Sequence, residues 1–411
     1  MKERNIRHPF ILYFFYTTLI LSFMHAVLRL NESSSMSLYR VLMPFSLLIL
    51  FLGYKKSKKS IIIVGLIIIY NILIGFFYSS DFLHMGVLFL HYISILNIFL
   101  IIQYIYDKKG FGPVYKILYS FLLLSILIAI LEMIFQFRLP NTAVYYDGSV
   151  SAFNWNQNEL GTIFLSFVPF LLVYEKNKIK LLLLLSIIII VYINDSKLVL
   201  IGILIAILLY NIKKNIFEIN IYFKNITLFL FLFLIFFLFF LPYDEIYISF
   251  RDYDISIYEL LGMPISHILT LTPFPDMGGS ETTRANTIIY GITELVNSHF
   301  FGIGAGNSLT MLEKPEYQLM SAKSMHNLPI QLVVEQGIGV LVLYISLIVL
   351  FVKLLIKQNL TNIQLVVFVS IPSIFIGSMG SSIGIFSDYF FFASIFLMIF
   401  EYNNKKVFNA K

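Results

Sequence analysis

Residues 179–210 read IKLLLLLSIIIIVYINDSKLVLIGILIAILLY, and this stretch decides the fold. Two apolar runs flank the polar cluster Asn194-Asp195-Ser196-Lys197, and the outer flanks, KNKIK at 176–180 and NIKKN at 211–215, are both basic. One continuous helix would place the polar cluster at mid-membrane and the basic flanks on opposite sides. Because positive charge favours the cytoplasmic side, a hairpin fits better. We therefore predict two short spans, 179–193 and 197–210, joined by a polar turn.

The composition of the whole chain agrees with a membrane protein. Its 411 residues are 59% hydrophobic and 13% charged, whereas soluble domains average about 45–50% apolar and about 25% charged. The mean hydropathy is +0.86. The apolar runs are too long for transmembrane strands, which need about 9–11 residues. We predict an all-α polytopic transmembrane helix bundle, and the lack of cysteine excludes disulfides and thiolate chemistry.

Hydropathy along the chain predicts twelve spans and one long external loop. The chain thus divides into spans one to nine within 1–242, a large loop with short helices at 243–328, and three spans within 329–411. A loop of that length is more often functional than structureless. The predicted spans are 9–28, 36–54, 60–78, 83–106, 114–137, 159–174, 179–193, 197–210, 226–242, 329–352, 363–382 and 385–401.

The distribution of positive charge predicts the orientation. Most Lys and Arg residues lie in the N-terminal tail and in every second loop, as clusters such as KKSKK at 55–59. Both termini are therefore expected in the cytoplasm. Eight cations fall in or next to the opposite loops, where they oppose this bias. Some of them could be ordinary surface cations, and others could be kept for binding: Arg29, Arg40, Arg138, Lys197, Arg251, Arg284, Lys314 and Lys323.

The polar turn of the short hairpin is one candidate for an external anion site. Because the two helices are short, the turn is drawn below the membrane surface, where irregular backbone is tolerated only next to protein or water. Lys197 would then point into a wet external cavity. The alternative is that Asp195 and Lys197 form an ion pair that only satisfies the turn.

The large loop provides the other candidates. A helix over about 283–300 carries Arg284, the glycine-rich stretch FGIGAGN at 301–307 ends it, and His326 precedes Pro329 at the start of the next span. Backbone N–H groups and arginine bind anions, and a histidine at a helix N-terminus tends to stay neutral and able to act as a base. The set suits an anionic substrate. Alternatively, Arg284 is a plain surface cation and His326 caps a helix.

Two carboxylates in predicted spans and four histidines are weaker candidates for functional residues. Glu335 follows His326 by nine residues, half a turn out of phase on a helix, which favours a packing or network role. Glu132 is a functional candidate by its position inside a span, with its partner unknown. Four histidines are interpreted as structural: His25, His84, His91 and His299.

No spacing of histidines and carboxylates resembles a metal site, so neither a metal nor a cofactor is expected. An acidic stretch in the loop could bind a cation, but a solvated acidic surface is the simpler interpretation. Its carboxylates are Asp244, Glu245, Asp252 and Asp254.

Four sequence blocks resemble the O-antigen polymerase and O-antigen ligase superfamily of bacterial envelope glycan assembly. The first is GSVSAFNWNQNELG at 148–161, with Asn156 and Asn158, and the second is Ser196-Lys197 in place of a Ser-Arg pair. The third is Arg284 followed by FGIGAGN, which includes Gly304. The last is His326-Asn327 followed by EQGIGV, with Glu335 and Gly337. The chain departs from the pattern at Lys197 and in the closer spacing of Gly337 and Gly339.

This resemblance implies a metal-independent glycosyltransferase that uses a glycan carried on undecaprenyl diphosphate. Arg284 and Lys197 would hold the diphosphate, and His326 would activate the acceptor hydroxyl or help to bind the diphosphate. Arg251, Asn156, Asn158, Gly304 and Asn327 are the further substrate-binding candidates, whereas Glu335 and Gly337 would support the site. In-line attack would invert the anomeric configuration.

The first expectation is a polymerase of capsular, O-antigen or exopolysaccharide repeat units in the bacterial cytoplasmic (inner) membrane, acting on its external face. The alternatives are a ligase that transfers finished glycan to a lipid or other acceptor, and a transporter of a polysaccharide precursor or anion. Transporters usually show two related halves, which this sequence lacks. Expected partners are the lipid-linked oligosaccharide, the bilayer, a flippase and a chain-length regulator, and no nucleic acid.

Overall fold

The computed structural model describes most of the chain. The described residues are 9–30, 36–54, 56–78, 82–142, 149–154, 157–215, 247–250, 253–256, 270–271, 273, 280–314, 325, 327–381, 386 and 388–404. The predicted ninth span, 226–242, lies outside them, as do the acidic residues Asp244, Glu245 and Asp252, whereas Asp254 lies within a short strand.

The described residues are almost entirely helical, which confirms the all-α prediction. One short antiparallel hairpin interrupts the helices; it pairs β1 (Tyr247–Phe250) with β2 (Tyr253–Ser256), with Tyr247 opposite Ser256. A 3₁₀ turn at Ser378–Gly380 precedes the last helix. The helices are α1 Pro9–Phe23, α2 Leu38–Gly53, α3 Ser57–Tyr78, α4 Phe82–Lys109, α5 Phe111–Phe135, α6 Gln157–Tyr174, α7 Asn177–Ile193, α8 Lys197–Asn215, α9 Ser280–Asn297, α10 Asn307–Leu312, α11 Leu328–Gln336, α12 Ile338–Ile356, α13 Asn362–Gly377 and α14 Tyr389–Tyr402.

Five of the described helical segments are long and apolar enough to cross a membrane. Three further apolar helices are shorter: Pro9–Phe23, Leu38–Gly53 and Tyr389–Tyr402. The count of twelve spans and the external loop stay predictions. The five long segments are Ser57–Gly75, Met85–Lys109, Phe111–Phe135, Ile338–Ile356 and Asn362–Gly380.

One predicted span is wrong as a single helix. Residues 329–352 form two helices, α11 and α12, which are separated at Gly337 with φ +63° and ψ −140°. Hydropathy averaged over 329–352 stays high despite Glu335 and Gln336 next to the break, so it gave no sign of the break. The break depends on a contact with the glycine-rich stretch, described below.

The predicted short hairpin is present as α7 and α8, with Asn194, Asp195 and Ser196 between them.

Helix direction alternates between two ends of the bundle. At the lysine-rich end, defined by Lys56, Asp107, Lys213 and Lys357, Lys213 Nζ donates to Leu355 O and Lys357 O at 2.8 Å. At the loop end, defined by Val27–Arg29, Val150, Asn194 and Ser381, Asn141 Nδ2 donates to the carbonyls of Val27 and Arg29 at 3.1 Å.

Helix α6 is the centre of the bundle. Most of its residues from Gln157 to Leu172 are buried on every face, and it contacts α7, α8, α13 and α14. A helix that is apolar all round is expected at such a position. By contrast, most side chains of α12 face outward. The polar start of α6 is therefore held rigidly at the loop end.

Candidate functional site

The glycine-rich stretch FGIGAGN packs directly against the break between α11 and α12. Ile303 N donates to Val334 O at 2.9 Å, Gly304 N to Glu335 O at 3.0 Å, and Ile338 N to Phe300 O at 2.7 Å. A Cβ atom on Gly302 would lie 2.6 Å from Glu335 O. The third and fourth sequence blocks thus form one unit in which the backbones approach too closely for a side chain.

Glu335 lies at the centre of this unit and is fully buried. Its carboxylate accepts hydrogen bonds from Ser308 Oγ and, at 3.3 Å, from Gln331 Nε2. Gln331 Nε2 also donates to Ser308 Oγ at 2.8 Å. Because a buried carboxylate needs such partners, this network ties α10 to α11.

Helix α9 confirms the predicted loop helix, and it begins slightly earlier than expected, at Ser280. Arg284 lies on this helix one turn before Thr287, whose Oγ1 donates to Met325 O at 3.3 Å. Met325 is buried and directly precedes His326 in the chain. The helix of Arg284 therefore contacts the residue next to His326. His326 and the side chain of Arg284 are outside the described residues.

The polar turn between α7 and α8 is built around two asparagines. Asn194 accepts from Val150 N at 2.8 Å and donates to Val150 O at 2.9 Å, while Ser196 Oγ donates to Asn158 Oδ1 at 3.1 Å. Lys197 is exposed at the start of α8. Within the described part of the chain, no ion pair joins Asp195 to Lys197, so the predicted alternative for this turn is wrong.

A chain of hydrogen bonds connects this turn to the start of α11. Thr162 Oγ1 donates to Asn158 O at 3.0 Å and lies 2.6 Å from Ser381 Oγ. Leu328 N then donates to Ser381 O at 2.9 Å, and Asn327 caps α11 by accepting from Ile330 N at 3.3 Å. Three sequence-predicted binding residues, Asn158, Lys197 and Asn327, thus belong to one connected region. Asn156 and Arg251 are outside the described residues.

Sequence reasoning missed a buried polar cluster at the same end of the bundle. Arg40 is 2% exposed, and its Nη2 hydrogen-bonds to His91 Nδ1 at 3.0 Å and to Tyr389 Oη at 3.2 Å. His25 Nδ1 hydrogen-bonds to Ser37 Oγ. His25 and His91, which the sequence suggested are structural, therefore have polar partners. The one sign of this cluster in the sequence was the predicted position of Arg40 next to an external loop.

Three charged residues extend this cluster toward α6. Glu159 and Asp388 are buried, and their carboxyl groups lie close enough to interact electrostatically. Arg29 interacts electrostatically with both carboxyl groups, and burial lowers its pKa. The one sign of this extension in the sequence was that Glu159 directly follows Asn158, a predicted binding residue.

Glu132 has the partner that the sequence did not reveal. Its Oε2 accepts from Ser151 N and Ala152 N at 2.9 Å each and lies 3.7 Å from Arg138 Nη1. The carboxylate therefore fixes the backbone of the segment before α6. This arrangement explains why an acidic residue is kept inside α5.

Among the described residues, no group of three histidine, aspartate or glutamate side chains could hold a metal ion. Comparison with models of known protein families finds no match for this chain, and no characterised protein matches its sequence.

Proposed function

We propose that this chain is a membrane glycosyltransferase that polymerises oligosaccharide repeat units carried on undecaprenyl diphosphate. The observation that carries the proposal is the packing of FGIGAGN against Val334–Gly337, with Arg284 on the helix before the glycine turn and Asn327 at the start of α11. Two of the blocks that resemble the polymerase and ligase superfamily are thereby parts of one compact unit.

The orientation supports the same proposal. The lysine-rich end would face the cytoplasm, because positive charge favours that side, and the loop end would face outward. The termini would then be cytoplasmic and the site external. The alternation of helix direction from α1 to α8 and from α12 to α14 fits this arrangement.

The chemistry needs few groups. Arg284 and Lys197 would hold the diphosphate and stabilise the negative charge that develops as the anomeric C–O bond breaks. His326 would take the proton of the acceptor hydroxyl as the new glycosidic bond forms. The carrier diphosphate leaves with the electron pair of the broken bond.

The test uses a deletion strain complemented with wild type, Arg284→Ala or His326→Ala. Surface and lipid-linked glycans are compared on gels, with expression measured. We expect the ladder of long chains to collapse to single repeat units in both variants. Matched controls on the same loop are His299→Asn, which suits the positive φ of 53° at that turn, and Lys314→Ala, which removes an ion pair with Glu294. Both controls should keep the ladder.

Other outcomes identify the alternatives. Long chains retained on the lipid carrier and absent from the final acceptor would indicate a ligase. An unchanged ladder with both variants well expressed would refute the site and favour a transporter.

A further inference from the structure

An apolar cavity lies between helix α3 and the surface that α4, α11 and α14 form with Phe386. Its volume is about 370 Å³, and its lining is aliphatic or phenylalanine except for Ser60, Tyr92 and Gln336. Cavities with such a lining stay dry and take up hydrocarbons. The chemistry of the cavity therefore suits an alkyl chain.

The cavity opens sideways, toward the outer surface of the bundle. Ile63 and Ile67 line it from α3, and they are 50% and 43% exposed. Their neighbours Ile62 and Leu66 are more exposed still, and the segment Ser57–Gly75 is long and apolar enough to cross a membrane. The opening is thus continuous with an apolar surface that contacts lipid chains in a bilayer.

A polar bridge occupies the loop end of the cavity. Gln336 Nε2 donates to Tyr92 Oη at 2.9 Å, and Asn71 Nδ2 donates to Gln336 Oε1 at 2.8 Å. These bonds join α11, α4 and α3. Behind them lies Gly337, where the glycine-rich stretch packs against the helix break. An alkyl chain therefore reaches the cavity from the side or from the lysine-rich end, but not from the loop end.

The lysine-rich end of the cavity is suited to an anionic headgroup. Lys56 precedes Ser60 by one helical turn on the same face, within the cluster KKSKK at 55–59. Its ammonium pairs with Asp107 at 2.5 Å, but its side chain is 60% exposed, so it keeps donors that face water. Lysine clusters that directly flank a membrane helix attract anionic lipids.

The depth of the cavity also fits a lipid chain that starts at this end. Tyr92 precedes Asp107 by 15 residues on α4, which corresponds to about 22 Å of helix. The hydrocarbon core of a bilayer is about 30 Å thick. A chain whose headgroup lies beside Lys56 would therefore run along the cavity and end near the polar bridge.

We propose that this cavity binds an anionic phospholipid from the leaflet at the lysine-rich end, with its phosphate beside Lys56 and one acyl chain between α3 and α4. The acyl chain restores the dispersion contacts that an empty cavity lacks. The site is separate from the region proposed to bind the diphosphate, which lies at the loop end, and it does not depend on the proposed function.

The first test is native mass spectrometry of the full chain in detergent, with equal amounts of phosphatidylglycerol and phosphatidylcholine that carry the same acyl chains. We expect one phosphatidylglycerol to be retained in preference to phosphatidylcholine. Lys56→Gln should lower this preference about fivefold. The matched control is Lys178→Gln, which removes an exposed lysine from the first turn of α7 at the same end, and it should retain the wild-type preference.

The second test fills the cavity. Val64 lines it from α3, and Val64→Trp should abolish retention of either phospholipid. Leu66→Trp makes a similar change on the lipid-facing side of the same helix, where the side chain is 61% exposed, and should retain phosphatidylglycerol. Thermal unfolding followed by circular dichroism shows which variants fold. If Val64→Trp does not fold, Ile63→Trp at the half-exposed rim takes its place.

Several results would overturn the proposal. They are equal retention of the two phospholipids by wild type, retention of neither, an unchanged preference in Lys56→Gln, and a folded cavity variant that still retains phosphatidylglycerol. Displacement of the retained phospholipid by geranylgeranyl diphosphate would also overturn it, because the cavity would then belong to a prenyl chain.

Discussion

The two ends of the bundle differ in how deeply their carboxylates are buried. At the lysine-rich end, Lys56 pairs with Asp107 where both side chains are partly exposed, at 60% and 29%. At the loop end, Glu335, Glu159 and Asp388 are buried, and Ser308 of another helix donates to Glu335. Charges in water can be replaced at little cost, whereas buried charges depend on one another. The carboxylates of the loop end are therefore harder to replace than Asp107 at the lysine-rich end.

The largest expected contrast between the ends involves two glycines with positive φ, Gly337 at +63° and Gly110 at +79°. Alanine at Gly110 meets no atom within 4 Å, so only backbone strain of about 1–3 kcal/mol opposes it. At Gly337 the added Cβ would lie 2.3 Å from the carbonyl carbon of Phe301, and we expect a loss above about 4 kcal/mol. Thermal unfolding followed by circular dichroism measures both. Gly339→Ala, on α12 with open space, is the control, and equal midpoints for Gly337→Ala and Gly110→Ala would contradict the contact.

A second contrast compares carboxylates. Glu335→Ala should lower the free energy of unfolding by about 2–4 kcal/mol, because Ser308 and Gln331 lose a buried charged partner. Asp107→Ala should cost about 0–1 kcal/mol, since its ion pair is partly exposed. The same unfolding measurement applies, with Glu335→Gln expected to lie between the two. Similar losses at both ends would show that burial does not determine the cost.

The smallest effect on stability is expected for two exposed lysines, Lys197 at the loop end and Lys59 at the lysine-rich end. Alanine at either should change stability by less than about 0.5 kcal/mol. Only Lys197→Ala should shorten the glycan chains, because only this lysine lies in the region proposed to bind the diphosphate. Gels of glycans from equally expressing strains compare them. If Lys59→Ala shortened the glycan chains equally, the loss of chain length would instead be due to impaired membrane insertion of the protein.

The features that local sequence could predict are those with a local cause. The hairpin α7–α8 followed from hydropathy and basic flanks, and helix α9 followed from apolar spacing ended by glycine. Distant partners could not be predicted in this way. The electrostatic interaction between Glu159 and Asp388 joins two segments far apart in the chain, and Glu132 binds backbone N–H groups, which every sequence contains.

The candidate site was predictable to a similar extent. The glycines of FGIGAGN pointed to a tight turn, but nothing local showed that its partner is the chain around Glu335. The break at Gly337 was missed for the same reason, because the span as a whole is apolar despite Glu335 and Gln336, and only the contact with Phe300 and Phe301 explains the break.

Helix α3 reaches its final partners late in biosynthesis. Tyr70 Oη donates to Phe301 O and Asn71 Oδ1 accepts from Ala305 N, across 231 and 234 residues of chain. At translation rates of about 5–20 residues per second, the ribosome needs roughly 10–50 s to make that intervening chain. Among the described helices made before then, α3 packs mainly against α2 and α4. A nascent chain stopped before Phe301 should leave α3 open to crosslinking with the insertion machinery, and release should coincide with synthesis of the glycine turn.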